Sequence, residues 1–320
     1  MILARLLSKI YKKKEGIILI DHSGQKYICG NPNFDKPITL KLLKKDLNWK
    51  IILNPDLYFP EAYMRGEILI ENASLYEFLS LTFENLGRKE INVMGAFVKK
   101  AMHIWRFISN YNLPTKSKKD VQHHYDIGEE LYDIFLDKKH RQYSCAYFKK
   151  KNESLENAQQ NKIDHIIRKL NLKPGHTVLD IGCGWGGFAE YLGKNYDVKL
   201  DCITISKKQF EYAKERIYNC GLNEKVNIEI KDYRDLKDKY NSIASIEMIE
   251  AVGQNYLESY FKTIKNNLSN NGKAAIQAIT IDDALFDRYK NKEDFIQKYI
   301  FPGGFLPNKN SINKYVSDNG

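Results

Sequence analysis

VLDIGCGWGG, residues 178–187, decides how the chain is read. An apolar run ends at the acid Asp180, and Gly182, Gly184, Gly186 and Gly187 then follow within a few positions. Such a run predicts a strand that turns tightly into a helix. Without a Cβ, the backbone of that turn can pass close beneath a ligand. A glycine-rich strand-to-helix turn serves dinucleotides and nucleosides alike. One detail points away from a nicotinamide dinucleotide. Gly182, Gly184 and Gly187 keep G-x-G-x-x-G spacing with Gly186 added inside it, but the ribose-binding acid expected ~20 residues on is replaced by ITISKKQ, residues 203–209. Thr204, Ser206 and Gln209 offer hydrogen bonds there, whereas Asp201 falls inside the preceding strand.

Outward from this turn, strands near 178–181, 200–205, 226–230, 243–247 and 273–280 alternate with helical stretches from about Gly187, over Lys207–Cys220 and over 256–268. That alternation predicts βαβ units, a parallel sheet and helices on both of its faces. VQHHYDIGEELYDIFLD (121–137) and residues 155–171 read as two helices ahead of the sheet. Before them, NLPTKSKKD (112–120) is polar, basic and broken by Pro114, which marks a linker. The division predicted is a smaller α+β domain over 1–112 and the sheet domain over 113–320. In the first, GIILI and QKYICG flank the turn-forming Asp21-His22-Ser23-Gly24 and predict a hairpin. Pro32, Pro37, Pro55 and Pro60 punctuate short elements, and 74–86 carries Leu75, Phe78, Leu79 and Leu86 at helical spacing.

Hydrophobic residues make up 43% and charged residues 28% of 320, which excludes wholesale disorder. The formal net charge is +10, and residues 1–50 hold 11 Lys/Arg against 4 Asp/Glu. A basic end suits an anionic partner, either phospholipid headgroups or nucleic acid, or is simply a solvated surface. No apolar run approaches the ~18 residues of a membrane span, and MILARLLSKIYKKK lacks the order of a signal peptide, its apolar part preceding its charges. Ile2, Leu3, Leu6, Leu7 and Ile10 form a helical stripe with Arg5, Ser8, Lys9, Lys12 and Lys13 off it. Such a helix lies on an anionic bilayer or docks on its own domain. Cys29, Cys145, Cys183, Cys202 and Cys220 are odd in number, scattered and without a CxxC pair. This argues against a disulfide framework or a zinc site and for a reducing cytoplasm.

Seven separated segments occur in order: HYDIG (124–128), YSCAYF (143–148), VLDIGCGWGG, TISKKQ (204–209), DYRDL (232–236), IEAVG (249–253) and YIFPGGFLP (299–307). D-x-G-x-G-x-G after a first strand resembles the S-adenosylmethionine site of Rossmann-like class I methyltransferases. The full set resembles the cyclopropane-fatty-acyl-phospholipid synthase family, which includes the mycolic acid cyclopropane synthases. The resemblance covers most of 120–310, and more weakly the N-terminal domain of the phospholipid-acting members.

That resemblance implies transfer of a methylene group from S-adenosylmethionine to a cis double bond of phospholipid acyl chains, with bound bicarbonate as the base. It implies that Tyr143, Ser144, Asp180, Gly182, Gly184, Trp185, Gly186, Thr204, Ser206, Gln209, Tyr233 and Arg234 serve the cofactor. Cys145 would line the bicarbonate pocket through its backbone N–H, and Glu250 would hold the bicarbonate network, with Glu247 the alternative. His123 and His124 read as helix-surface or structural residues. Gln277 stands where the family carries a histidine, and Ile279 matches the family's isoleucine two residues on. A glutamine amide donates and accepts hydrogen bonds but cannot become cationic, which leaves plain methyl transfer open beside ring closure. The partners implied are a phospholipid surface on the cytoplasmic side of a membrane and no nucleic acid, with self-association open. A small-molecule N- or C-methyltransferase and a silent lipid-binding remnant are the competing readings.

The family sheet has seven strands, the last two an antiparallel edge pair, and five can be counted here. The expectation is that the last two strands, with a family tyrosine of the bicarbonate pocket, lie beyond residue 320.

Overall fold

The computed structural model describes residues 1–86, 129–291 and 293–320. They fall into two compact units, 1–86 with 291 and 293–298, and 129–290 with 299–320. The predicted boundary at 112/113, the segment HYDIG and both His123 and His124 lie outside the described residues. Residues 291 and 293–298 group with the first unit, although their position in the sequence predicts them in the second.

In the first unit, α1 (Ile2–Ile10) precedes β1 (Ile17–Ile20), β2 (Lys26–Cys29) and β3 (Thr39–Leu42), then α2 (Leu47–Leu53), α3 (Pro55–Met64), β4 (Ile68–Glu71) and α4 (Leu75–Leu86). The sheet order is β2-β1-β3-β4. The hairpin forms as read, Ile17 facing Cys29 and Ile20 facing Lys26 across antiparallel strands. Pro55 opens α3, where no N–H is missed, and Pro60 is accommodated within that helix instead of ending it. Leu3 and Ala4 of α1 are buried with Tyr11, Ile17, Leu19, Leu40, Leu42 and Phe78. Leu3, with Leu7 and Ile10 partly buried beside it, thus packs into its own domain's core, while Ile2 of the same stripe is exposed.

The second unit opens with α5 (Glu129–Phe135) and α6 (Leu155–Leu170). Then β5 (His176–Ile181), α7 (Gly187–Asn195), β6 (Val198–Thr204), α8 (Lys207–Asn219), β7 (Val226–Ile230) and β8 (Tyr240–Ile246) alternate. α9 (Leu257–Asn267), β9 (Leu268–Gln277), α10 (Asp283–Tyr289) and α11 (Lys309–Asn319) complete it. The five strands are parallel in the order β7-β6-β5-β8-β9. β9 starts earlier than read, and the register slips between Tyr240 and Ser242, where Asn271 takes a left-handed φ of 63°.

Alternation along β5 explains two apolar layers. Val178 packs with Ile163, Phe188, Leu192 and Ile217, and Leu179 and Ile181 pack with Ile243, Tyr260, Phe261 and Phe305. Strands buried on both faces read as largely apolar runs, as IASI in β8 does, its Ser245 buried and bonded to Tyr260. The chain reverses direction across the sheet between β5 and β8. In open α/β sheets ligands bind in that crevice, beyond the carboxyl ends of the strands. No helix among the described residues is long and apolar enough to cross a membrane.

Candidate active site

The turn after β5 is built as the sequence predicts. Gly182, Gly184 and Gly186 have φ of 85°, 55° and 78°, values that L side chains rarely adopt. The N–H groups of Gly182 and Cys183 both donate to the carbonyl of Ile203, at 3.0 and 3.1 Å, and so tie the turn to β6. A Cβ on Gly182 would stand 2.7 Å from Met248 Cγ, whereas one on Gly184 would meet nothing within 4 Å. The turn is therefore closed on the Met248 side and open at Gly184. Asp180 is 1% exposed, and neither carboxylate oxygen has a hydrogen-bond partner among the described residues. Burial pushes its pKa up to about 7. An orphaned buried acid beside an open glycine turn is what a site for a polar, nucleoside-bearing ligand requires.

Beyond β6, Thr204 Oγ1 donates to Gln209 Oε1 at 2.9 Å, and Ser206 caps α8 by accepting from Gln209 N–H. These three side chains are buried at the ends of β6 and α8 and hold one another. Asp232 grips the Arg234 guanidinium by two bonds, Nε at 2.9 Å and Nη2 at 2.7 Å. Tyr233 packs against Tyr260 in the core. Tyr233 and Arg234 thus both have structural partners of their own.

Trp185 is 2% exposed, and Arg141 lies between its ring and that of Tyr212, 4.6 and 4.5 Å from the centroids. The indole face is taken by a resident cation. Tyr143 stands edge-on to Tyr132 and Phe135 and faces Phe301 at 6.2 Å. Burial raises its pKa. Ser144 Oγ accepts from Lys162 Nζ at 2.6 Å. That lysine is 2% exposed, and burial brings its pKa down to about 8 against the pull of Glu247 and Asp137.

Cys145, Glu247 and Gln277 form one cluster. Cys145 N–H donates to Glu247 Oε1 at 2.9 Å, and Gln277 Nε2 donates to the same oxygen at 2.8 Å and to the Cys145 carbonyl at 3.1 Å. The Cys145 thiol makes only a 3.5 Å approach to Ala146 O. The cluster is bound through the Cys145 backbone, its N–H and its carbonyl, and not through the thiol. Glu250 Oε1 accepts from Ile279 N–H at 2.5 Å, while Oε2 is buried without a partner among the described residues. Burial, with a smaller push from Glu247, raises the Glu250 pKa to about 7.

The structure therefore brings Cys145, Gln277, Glu250 and Ile279 to the ends of β8 and β9, as the sequence reading requires, and puts Glu247 among them. Glu247 has a φ of 51°, uncommon for a residue with a side chain. Lys162 was missed. Its signal was its place on the buried stripe of α6, four residues from both Ala158 and Ile166.

The strand order, the glycine turn and the orphaned acid define a class I S-adenosylmethionine-dependent methyltransferase fold. A cyclopropane synthase structure, CmaA1 complexed with SAH and CTAB, shares it with a TM-score of 0.59 and 30% identity, over 63% of this chain and 74% of that one. The chain belongs to the mycolic acid cyclopropane synthetase family, whose model matches residues 113–320. It is 43% identical over 204 residues to the cyclopropane-fatty-acyl-phospholipid synthase of Escherichia coli, covering 63% of this chain and 51% of that enzyme. It is 34% identical over 268 residues to the tuberculostearic acid methyltransferase UfaA1 of Mycobacterium tuberculosis, covering 79% and 60%. The chain thus spans about half the length of the Escherichia coli enzyme.

Proposed function

We propose that this chain carries the catalytic domain of an enzyme that adds one carbon from S-adenosylmethionine to a cis double bond of phospholipid acyl chains, closing a cyclopropane ring. The reaction is placed at the cytoplasmic face of a membrane. The observation that carries the reading is the pairing of two features at neighbouring strand ends. An open glycine turn with a buried acid follows β5, and two carboxylates lie beyond β8.

S-adenosylmethionine, when bound, supplies an electrophilic methyl group. Gly184 leaves its backbone open to the ligand, and buried Asp180 offers two acceptor oxygens. An alkene is a very weak nucleophile, and its attack leaves a positive charge on carbon. The rings of Tyr132, Phe135, Tyr143 and Phe301 group near the cluster segment and suit a charge that must form away from water. A proton must then leave the transferred carbon. The carboxylates Glu247 and Glu250 are the groups at hand, in environments that differ enough to separate their roles.

A second reading, methyl addition without ring closure, is favoured by UfaA1, whose match covers more of this chain than does that of the Escherichia coli enzyme. Mass spectrometry separates the two. The purified chain is incubated with S-adenosylmethionine and vesicles of cis-monounsaturated phosphatidylethanolamine, and the released fatty acids are analysed. A ring-bearing acid one carbon longer is expected. A methyl-branched acid would establish the second reading, and a methylated soluble amine in place of any altered lipid would overturn both.

A further inference from the structure

Bicarbonate, the base the resemblance implies, needs N–H donors and positive charge. The donors assigned to it do not fit. Cys145 N–H is taken by Glu247 Oε1, both N–H bonds of Gln277 Nε2 are engaged, by Glu247 Oε1 and the Cys145 carbonyl, and Ile279 N–H is taken by Glu250 Oε1. Gln277 carries no charge. An added anion would meet two carboxylates that already repel each other, as the effect of Glu247 on Glu250 records.

We propose that the Glu247 carboxylate is the resident proton acceptor of this site and occupies the place that the resemblance gives to bicarbonate. This rests on the methylene-transfer reading. Three observations carry it. Glu247 directly follows β8, and its neighbour Met248 closes on Gly182, so the carboxylate stems from the wall of the glycine turn. Its Oε1 receives two N–H donors, which fix the orientation of the carboxylate. Its backbone is held at a φ of 51°, a conformation unfavourable away from glycine that persists where the surroundings enforce it. Lys162, buried 2.6 Å from Ser144 Oγ, has Glu247 as its strongest charge partner, so the cation of the cluster is already matched by a resident carboxylate.

The step balances. A C–H bond of the transferred methyl group breaks, and its electron pair forms the carbon–carbon bond that closes the ring onto the cationic carbon. The proton passes to Glu247, turning carboxylate into carboxylic acid. Glu250 differs in position: its Oε1 is held by the Ile279 N–H and its Oε2 is buried.

Glu247→Gly tests this, because glycine relieves the backbone while opening the anion site. In carbon-dioxide-free buffer the unaltered chain is expected to turn over undiminished. Glu247→Gly should fall at least about 100-fold, the scale of a lost general base, and recover when bicarbonate is added. Glu247→Gln, whose amide fills the space, should fall equally and not recover. A second readout needs no turnover: line broadening of carbon-13 bicarbonate should appear with Glu247→Gly and be absent with the unaltered chain. Adenosylhomocysteine calorimetry confirms that each variant is folded. Bicarbonate broadening by the unaltered chain, or loss of its turnover on removing carbon dioxide, would overturn the proposal. If no variant makes lipid product, the methylene-transfer reading fails, and the broadening comparison still decides whether Glu247 holds the anion site.

Discussion

Gln277 Nε2 spans two acceptors, standing 2.8 Å from Glu247 Oε1 and 3.1 Å from the carbonyl oxygen of Cys145. A neutral amide thereby joins the end of β9 to the segment ahead of α6, across 132 positions of sequence. It orients the carboxylate without neutralising it. Gln277→Ala removes both bonds, one of them to a charged group. About tenfold lower turnover is expected, with adenosylhomocysteine affinity nearly unchanged. Steady-state kinetics beside calorimetry check it, and an equal loss in both would make Gln277 a cofactor ligand.

Gly184 has room for a side chain but not the backbone angle for one. Gly184→Val places a β-branched residue at a φ of 55°, which costs on the order of 1–3 kcal/mol, and puts its methyl groups into the open side of the turn. At least about tenfold weaker adenosylhomocysteine binding is expected in a variant whose circular dichroism still shows a folded chain. Unchanged affinity would place the ligand elsewhere.

Asp180 and Glu250 both have pKa values raised to about 7 by burial. Between the ordinary carboxylate range and pH 7, the folded ligand-free chain holds more protons than the unfolded chain. Its stability therefore falls as pH rises through that window, and the loss is complete above about pH 7. Urea unfolding at pH 5 and pH 8 should show a higher midpoint at pH 5, and Asp180→Asn should narrow the gap. A midpoint that rises with pH would contradict the assignment.

Leu3 is 4% exposed within the first unit's core. Leu3→Ala should cost about 2–5 kcal/mol, seen as a lower denaturation midpoint. Unchanged stability with lost binding to anionic vesicles would return the α1 stripe to a bilayer.

The β5 turn was legible because its requirement is local. An acid, closely spaced glycines and an apolar run dictate a strand, left-handed backbone angles and a helix start within ten residues. The hairpin and α4 were legible for the same reason. The role of Glu247 was not, because it depends on Cys145, 102 positions away. No periodicity records a pairing made only when β8 and β9 end side by side. Tyr233 and Arg234 show the same limit: the motif that carries them gives no sign that Arg234 binds Asp232 or that Tyr233 packs in the core. Likewise, the apolar stripe of α1 was readable, but its partner was not, since burial in a core and burial in a bilayer ask for the same pattern.

The most direct measurement uses S-adenosylmethionine with a fully deuterated methyl group, vesicles of cis-monounsaturated phosphatidylethanolamine and the purified chain. Mass spectrometry then counts the deuterons on the transferred carbon. Ring closure removes one of the three as a proton, so the expected product is a cyclopropane acyl chain that retains two. Retention of all three would show methyl transfer without ring closure, and consumption of the donor with no label in lipid would contradict acyl-chain chemistry altogether.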